Sequence, residues 1–254
     1  MEPLYIDEVV FPVVSMKKRK FDYLGLWGTA FYIGGNYFLT AKHVIEAAKS
    51  SLDSGHAEYM AIGQPELDDK PERDWKFATI TEFEIAQQID VAIFKVQDNF
   101  NNIFTPKWNI TGLQVFDDVR SAGYPYSLDI ENRVINLRGI KGHVIGTGKQ
   151  RLGSIQFRSY ELNFQAPRGL SGAPLFDDTH PPKVCGIIIG NRSHEMEVAS
   201  MKEILGDGER IETFTRIEIM HIGVAIMAKE LIAVEFKLLN GAILGHLRRN
   251  NLFA

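Results

Sequence analysis

The fold is decided by a stretch near the N-terminus that reads LWGTAFYI (residues 26–33), GGN (34–36) and YFLT (37–40). Its two apolar runs predict strands, and the glycines between them tolerate the positive φ that a tight hairpin turn requires. Further short apolar runs bounded by Gly, Asn, Asp and Pro predict strands at residues 78–83, 91–96, 118–122, 142–146, 155–157, 184–189 and 217–225. So many short strands predict an all-β protein, a barrel or a sandwich.

Helical patterns are fewer. Residues 44–52 and 199–205 predict short helices, and apolar residues at helical spacing predict a C-terminal helix over Met227–Leu239. Two polar, charged stretches, Ser51–Asp74 and Asn191–Glu212, are predicted to be surface insertions.

Composition excludes several classes of protein. The 254 residues are 45% hydrophobic and 24% charged with a formal net charge of −4, so nucleic-acid binding is not expected. The one cysteine, Cys185, cannot form an intramolecular disulfide, which is typical of a reducing compartment. The N-terminus does not resemble a signal peptide, and no apolar run approaches the roughly 18 residues of a membrane span. We expect a cytoplasmic protein that binds no membrane.

Three local motifs carry residues suited to chemistry. His43 follows the second strand of the hairpin, Asp90 opens the strand Val91–Val96, and Ser171 lies between glycines in GLSGAPL (169–175). Taken singly, each has an ordinary alternative: a histidine that caps a strand, a turn aspartate and a surface turn. The glycines also allow the N–H groups of Gly169 and Ser171 to point together at a developing oxyanion.

The three motifs are more informative together. A serine hydroxyl is a weak nucleophile until a base takes its proton, and a histidine base needs a partner that fixes its tautomer. The chain order His43, Asp90, Ser171 is that of chymotrypsin-type triads and differs from the Ser-Asp-His order of α/β-hydrolases. The sequence therefore predicts a catalytic triad.

These motifs resemble those of the trypsin-like, chymotrypsin-fold serine peptidases. The segments GTAF (28–31), LTAKHV (39–44), DVAI (90–93) and GLSGAPL (169–175) carry the resemblance, and they are most similar to the disulfide-free high-temperature-requirement (Deg) branch. The resemblance implies two perpendicular six-stranded β-barrels with a C-terminal α-helix. Residues 10–112 would form the first barrel and residues 113–254 the second barrel with the helix, together one peptidase domain.

The resemblance also implies an activity and a site. We expect a serine endopeptidase that forms an acyl-enzyme intermediate, needs no cofactor or metal and acts on a protein or peptide. The implied substrate-binding residues are Gln165, Ala166, Ile188, Ile189 and Gly190. None of them is charged, so an uncharged residue is expected before the cleaved bond.

Departures from the family pattern carry further expectations. Leu170 replaces the aspartate that precedes the nucleophile in secreted trypsins, so activation by N-terminal cleavage is not expected. We also expect no appended PDZ domain. Two alternatives stay open: a peptidase fold that binds peptides without cutting them, and a protease arm that a regulatory protein partner activates within a larger assembly.

Overall fold

The N-terminal half of the chain closes into a barrel with strand order β1-β2-β3-β6-β5-β4. The computed structural model describes residues 6–17, 23–65, 75–97, 103–125, 128–129, 134–152, 155–205 and 210–253. The barrel strands are β1 (Val10–Met16), β2 (Tyr23–Tyr32), β3 (Tyr37–Thr40), β4 (Tyr59–Pro65), β5 (Trp75–Ile85) and β6 (Ala92–Val96). The predicted hairpin is confirmed, because Ala30 pairs with Thr40 and Tyr32 with Phe38 across the β2–β3 turn.

The second half forms another closed barrel, with order β10-β11-β14-β13-β12-β7. Its strands are β7 (Asp118–Gly123), β10 (Arg138–Leu152), β11 (Ile155–Leu162), β12 (Pro174–Asp177), β13 (Val184–Leu205) and β14 (Arg210–Met227), with the short pair β8 (Leu128–Asp129) and β9 (Val134–Ile135) outside it. The predicted all-β architecture of two six-stranded barrels is therefore confirmed.

Aromatic side chains fill the first barrel. The rings of Phe38 and Phe94 stack with centroids 5.4 Å apart, and Phe11 meets Phe38 edge-on at 5.3 Å. A further apolar cluster, which includes the fully buried Trp108 and Tyr124, joins residues of both halves. Burying a side chain of this size contributes roughly 1.5–3 kcal/mol, so the two barrels are held against each other by apolar packing.

The C-terminal segment differs from the predicted single helix over Met227–Leu239, which is wrong in extent. The helix α2 covers only Ala228–Leu231, and β15 (Glu235–Phe236), a 3-10 turn (Lys237–Leu239), β16 (Gly241–Ala242) and a helix at Ile243–Arg249 follow. The reason is tertiary bonding: Leu238 accepts a hydrogen bond from the Tyr37 hydroxyl at 2.6 Å and donates its N–H to Glu84 at 3.0 Å. These bonds hold the segment against the first barrel in a short 3-10 turn and prevent a continuous α-helix. No helix in the described ranges is long and apolar enough to cross a membrane.

The predicted insertion Ser51–Asp74 is only partly an insertion. The helix α1 covers Lys42–Asp53, which confirms the helix predicted at 44–52, but β4 (Tyr59–Pro65) is a strand of the barrel. Its residues Met60 and Ile62 are buried and pair with β1, so the surface assignment is wrong there. Residues 66–74 lie outside the described residues.

The second predicted insertion is a regular ribbon. Strands β13 and β14 continue beyond the barrel as an antiparallel pair, from Asn191 opposite Gly223 to Leu205 opposite Arg210. The helix predicted at 199–205 is wrong, because cross-strand pairing with β14 outweighs the weak local preference for helix. We refer to residues 191–205 and 210–222 as the ribbon.

Candidate active site

The position of His43 follows from the way α1 starts. The helix begins at Lys42, directly after β3, so His43 lies in its first turn, where backbone N–H groups have no acceptor within the helix. Asp90, in the loop before β6, supplies that acceptor: its Oδ1 accepts the His43 N–H at 3.1 Å. Its other oxygen, Oδ2, lies 2.8 Å from His43 Nδ1. The carboxylate thus holds both the backbone and the ring of the histidine.

This two-point contact fixes the tautomer of His43. A carboxylate can only accept, so Nδ1 carries the proton and Nε2 is left as the acceptor. The side chain of His43 is 45% exposed and that of Asp90 only 15%, so the carboxylate lies behind a ring that is open to solvent. Burial lowers the pKa of His43, but the hydrogen bond and charge of Asp90, with the charge of Glu46, outweigh it and hold the pKa above 6.5.

Two glycines shape the loop that carries Ser171. Gly169 has a φ of +100° and Gly172 a φ of +86°, in the left-handed region that other residues rarely adopt. A Cβ on Gly169 would lie 2.4 Å from the carbonyl oxygen of Tyr124, and one on Gly172 would lie 2.0 Å from that of Thr29. Both conformation and space therefore require glycine on either side of the serine.

The same loop presents two free backbone donors. The N–H groups of Leu170, Gly172 and Ala173 donate to main-chain carbonyls. Within the described part of the chain, those of Gly169 and Ser171 donate to nothing. Buried N–H groups are nearly always paired, so two unpaired ones beside the half-buried serine are suited to hold a ligand oxygen.

The hydroxyl of Ser171 makes one long hydrogen bond, to the carbonyl oxygen of Ile189 at 3.5 Å. Among the described residues it makes none to His43. The loop nevertheless lies against the start of α1, since a Cβ on Gly172 would be 3.0 Å from the backbone N of Ala41. The structure thus pairs His43 with Asp90 and brings the serine loop beside them, without a hydrogen bond between serine and histidine.

Within the described ranges, no strand pairs with the β12 side of β13 beyond Ile187. Strand β12 pairs with β13 only as far as Ile187, and the pairing of β13 with β14 skips Ile189, since Ile188 faces Ala225 and Gly190 faces Val224. Such a bulge re-aims the backbone and is common beside active sites.

The five residues expected to bind substrate differ in their surroundings. Ile188 is fully buried, and its N–H and carbonyl bond to Ala173 and Gly172, so its polar groups are occupied. Ile189 and Gly190 are partly exposed, and Gln165 is exposed. The backbone of Ala166 is held by another residue, described next.

The side chain of Asn191 joins the start of the ribbon to the segment before the serine. Asn191 accepts the N–H of Ala166 through Oδ1 at 2.7 Å and donates to its carbonyl through Nδ2 at 2.8 Å. The segment before the serine is thereby tied to the open edge of β13. The described residues contain no group of His, Cys, Asp or Glu side chains that could hold a metal ion.

Comparison with known proteins identifies the family. The model of the trypsin-like peptidase domain matches residues 28–187, which span His43, Asp90 and Ser171. The chain belongs to the trypsin-like peptidase family. It is a serine-type peptidase, as the sequence predicts. A search of the curated proteins gave no match.

Solved structures share the fold of this peptidase at low identity. The Rv3671c protease of M. tuberculosis in its active form is 18% identical, with a TM-score of 0.54 over 89% of this chain and 78% of that one. The HtrA-type protease AlgW with a decapeptide is 16% identical, with a TM-score of 0.52 over 88% and 62%. The MamO protease domain of Magnetospirillum magneticum is 13% identical, with a TM-score of 0.53 over 88% and 94%. The predicted resemblance to the trypsin-like, chymotrypsin-fold peptidases is confirmed, and the likeness to an HtrA-type protease is one of fold.

Sequence reasoning missed a residue that links the two barrels of the peptidase. The hydroxyl of Thr29, fully buried on β2, donates to the carbonyl of Gly169 at 2.8 Å and accepts the N–H of Tyr124 at 3.1 Å. The N–H of Thr29 also donates to the carbonyl of Ser171 at 2.8 Å. The only signal in the sequence was its place in the family segment GTAF, which assigns it no role.

Proposed function

We propose that this peptidase is a serine endopeptidase that cleaves peptide bonds through His43, Asp90 and Ser171, with an acyl-enzyme intermediate. The observation that carries the proposal is the two-point contact of Asp90 with His43, at 2.8 Å to the ring and 3.1 Å to the backbone. That contact leaves Nε2 of a fixed tautomer as a free base on the side that is open to substrate.

In the proposed reaction, His43 Nε2 takes the proton of the Ser171 hydroxyl as its Oγ attacks the substrate carbonyl. The imidazolium that forms is stabilised by the Asp90 carboxylate, and it then gives its proton to the leaving amine. Water, activated by the same histidine, releases the acyl group. The free protein has no serine–histidine hydrogen bond within the described residues. This is compatible with the proposed reaction, because such bonds often form only in the enzyme–substrate complex.

The unpaired N–H groups of Gly169 and Ser171 are proposed as the oxyanion hole. They lie in one loop in which the N–H groups of Leu170, Gly172 and Ala173 are occupied, and no acceptor within the described residues must be displaced from Gly169 or Ser171. Removing one such donor in other proteases lowers kcat by about 10²–10³-fold, so the pair supplies a large part of the rate.

The substrate is proposed to add as a strand to the open edge of β13 at Ile189 and Gly190. Its main chain would take the Ile189 carbonyl that Ser171 contacts at 3.5 Å in the free protein. Gln165 and Ala166 would form a wall of the side-chain pocket, with Asn191 bonded to the backbone of Ala166. The two barrels, residues 10–112 and 113–254, are proposed to act as one peptidase domain because the site draws on both.

A second candidate is a binding module that takes up a peptide without cutting it. The orientation of the Ser171 hydroxyl toward Ile189 instead of His43 favours it. The open donors at Gly169 and Ser171 favour the endopeptidase, because a module that only binds has no need of an oxyanion hole.

Labelling with a fluorophosphonate probe separates the two candidates. The wild type should be labelled and should hydrolyse an unstructured protein, and Ser171→Ala should lose both, with turnover reduced by about 10⁴–10⁶-fold. Ser193→Ala is the matched control, because Ser193 also contacts a histidine, His221, at 2.9 Å. Peptide binding by an unlabelled wild type would favour the binding module, and labelling of Ser171→Ala would refute the assignment of the nucleophile.

A further inference from the structure

The ribbon carries an unusual amount of exposed apolar surface. Most of the exposed large apolar side chains in the described residues lie on it: Met196, Val198, Phe214, Ile217, Ile219 and Met220, each 42–56% exposed. They lie on both faces of the ribbon, because alternate residues of a strand point to opposite sides. Single exposed apolar residues are ordinary, but so many on one pair of strands mark the ribbon as an interaction surface.

The outer edge of β14 is also free along this group. Strand β11 pairs with β14 only from Gly223 onward, and in the described residues no strand pairs with the outer side of β14 between Phe214 and Met220. An unpaired edge of this length presents a row of N–H and C=O groups to which another strand can add.

We propose that β14 binds β14 of a second copy of this chain, antiparallel, about a two-fold axis at Ile217. The sequence FTRIEIM (214–220) is self-complementary about that residue. In this register Arg216 of each copy faces Glu218 of the other, so two ion pairs form symmetrically. A two-fold interface requires such a self-complementary surface.

The local geometry supports this register. Arg216 and Glu218 are two residues apart on one strand, so they share a face, and their side chains already lie 3.0 Å apart. In the pair, the four charges would alternate in sign along that face. On the other face of the sheet, Ile217 of one copy would meet Ile217 of the second. Phe214 of one copy would pair across the two strands with Met220 of the other. This seam, the paired segment 214–220 of the two copies, ends before Gly223, where β11 occupies the edge of β14.

The neighbouring strand β13 is a poorer candidate for such a contact. Antiparallel pairing of two β13 strands about Met196 would place Glu195 opposite Glu197, and like charges in that position are destabilising. The pairing of β13 with β14 also shifts between Glu197 and Ala199, so β13 is bulged there. Bulges disrupt the regular edge on which another strand could add, whereas β14 is continuous over the seam.

Charge reversal on the full chain tests the proposal by sedimentation equilibrium. Glu218→Arg places two arginines opposite each other and should raise the dimer dissociation constant by roughly tenfold or more, and Arg216→Glu should do the same with glutamates. The double variant Arg216→Glu/Glu218→Arg restores opposite charges and should restore the dimer. Glu195→Arg, an equal change on β13, is the matched control and should leave the constant unchanged.

Cross-linking gives a second readout that does not depend on affinity. Ile217→Cys should form a disulfide-linked dimer on oxidation, because residue 217 faces its own copy, while Cys185, the one native cysteine, is buried. Glu195→Cys should not cross-link. A wild type that stays monomeric at high concentration, a double variant that does not recover, or a dimer insensitive to Glu218→Arg would each overturn the proposal.

Discussion

Replacing Thr29 by valine tests whether a buried hydroxyl positions the proposed oxyanion loop. Valine has the shape of threonine, so the change removes the hydroxyl and leaves the packing of β2 almost intact. Two hydrogen bonds disappear, the one to the Gly169 carbonyl at 2.8 Å and the one from the Tyr124 N–H at 3.1 Å. The backbone bond from Thr29 to Ser171 remains, so the serine stays attached to β2 while the loop before it loses its support.

The magnitude follows from the burial of these groups. A buried donor or acceptor left unpaired costs about 1–3 kcal/mol, so two of them would lower the free energy of unfolding by about 2–4 kcal/mol after partial relaxation. The relaxation itself should move Gly169, because its carbonyl loses the Thr29 hydroxyl and must accept a hydrogen bond from water instead. Because losing one oxyanion donor lowers kcat by about 10²–10³-fold, we expect kcat of Thr29→Val to fall by about 10²-fold.

Steady-state hydrolysis and urea unfolding measure the two effects separately. Thr29→Ser keeps the hydroxyl and is the control, with kcat expected within a few-fold of wild type. Thr29→Val should lose kcat with little change in KM, since the edge of β13 is untouched. A valine variant that is less stable but retains its kcat would refute the positioning role and leave Thr29 a purely structural residue.

Three other outcomes are expected. Because the pKa of His43 is raised, kcat/KM of the wild type should fall as the pH drops through a value above 6.5. Asp90→Asn should move this acidic limb of the pH profile to lower pH and reduce kcat by about 10⁴-fold. An acidic limb that does not move would contradict the role of Asp90. Burial raises the pKa of the Cys185 thiol, so iodoacetamide should leave the activity of the native peptidase unchanged, and rapid inactivation would contradict this. In cleavage profiles of peptide libraries, wild type should prefer a small or apolar residue before the cut bond, and Asn191→Ala should admit larger uncharged ones; a preference for charged residues would show that the pocket is misassigned.

The fold was predictable where local pattern and tertiary structure agree. The hairpin at residues 26–40 carries its own turn signal, and its two strands pair as the sequence indicates. The errors arise where long-range contacts decide. Residues 199–205 have an apolar spacing compatible with a helix, but each of them lies opposite a residue of β14, from Ala199 opposite Arg216 to Leu205 opposite Arg210. Likewise β1 (Val10–Met16) is buried on both faces, so it lacks the alternation that marks a half-exposed strand.

The candidate site divides along a similar line. Histidine, aspartate and serine between glycines are chemically distinctive, so their order along the chain could be tested against known catalytic arrangements. Thr29 and Asn191 are ordinary polar residues that act only by binding backbone groups. Nothing in the sequence distinguishes them from other threonines and asparagines. What distinguishes Thr29 is that its partners, Gly169 and Tyr124, belong to the other barrel. Such a role depends on how two barrels meet, which is fixed by apolar packing spread over the whole chain, and so it becomes visible only in three dimensions.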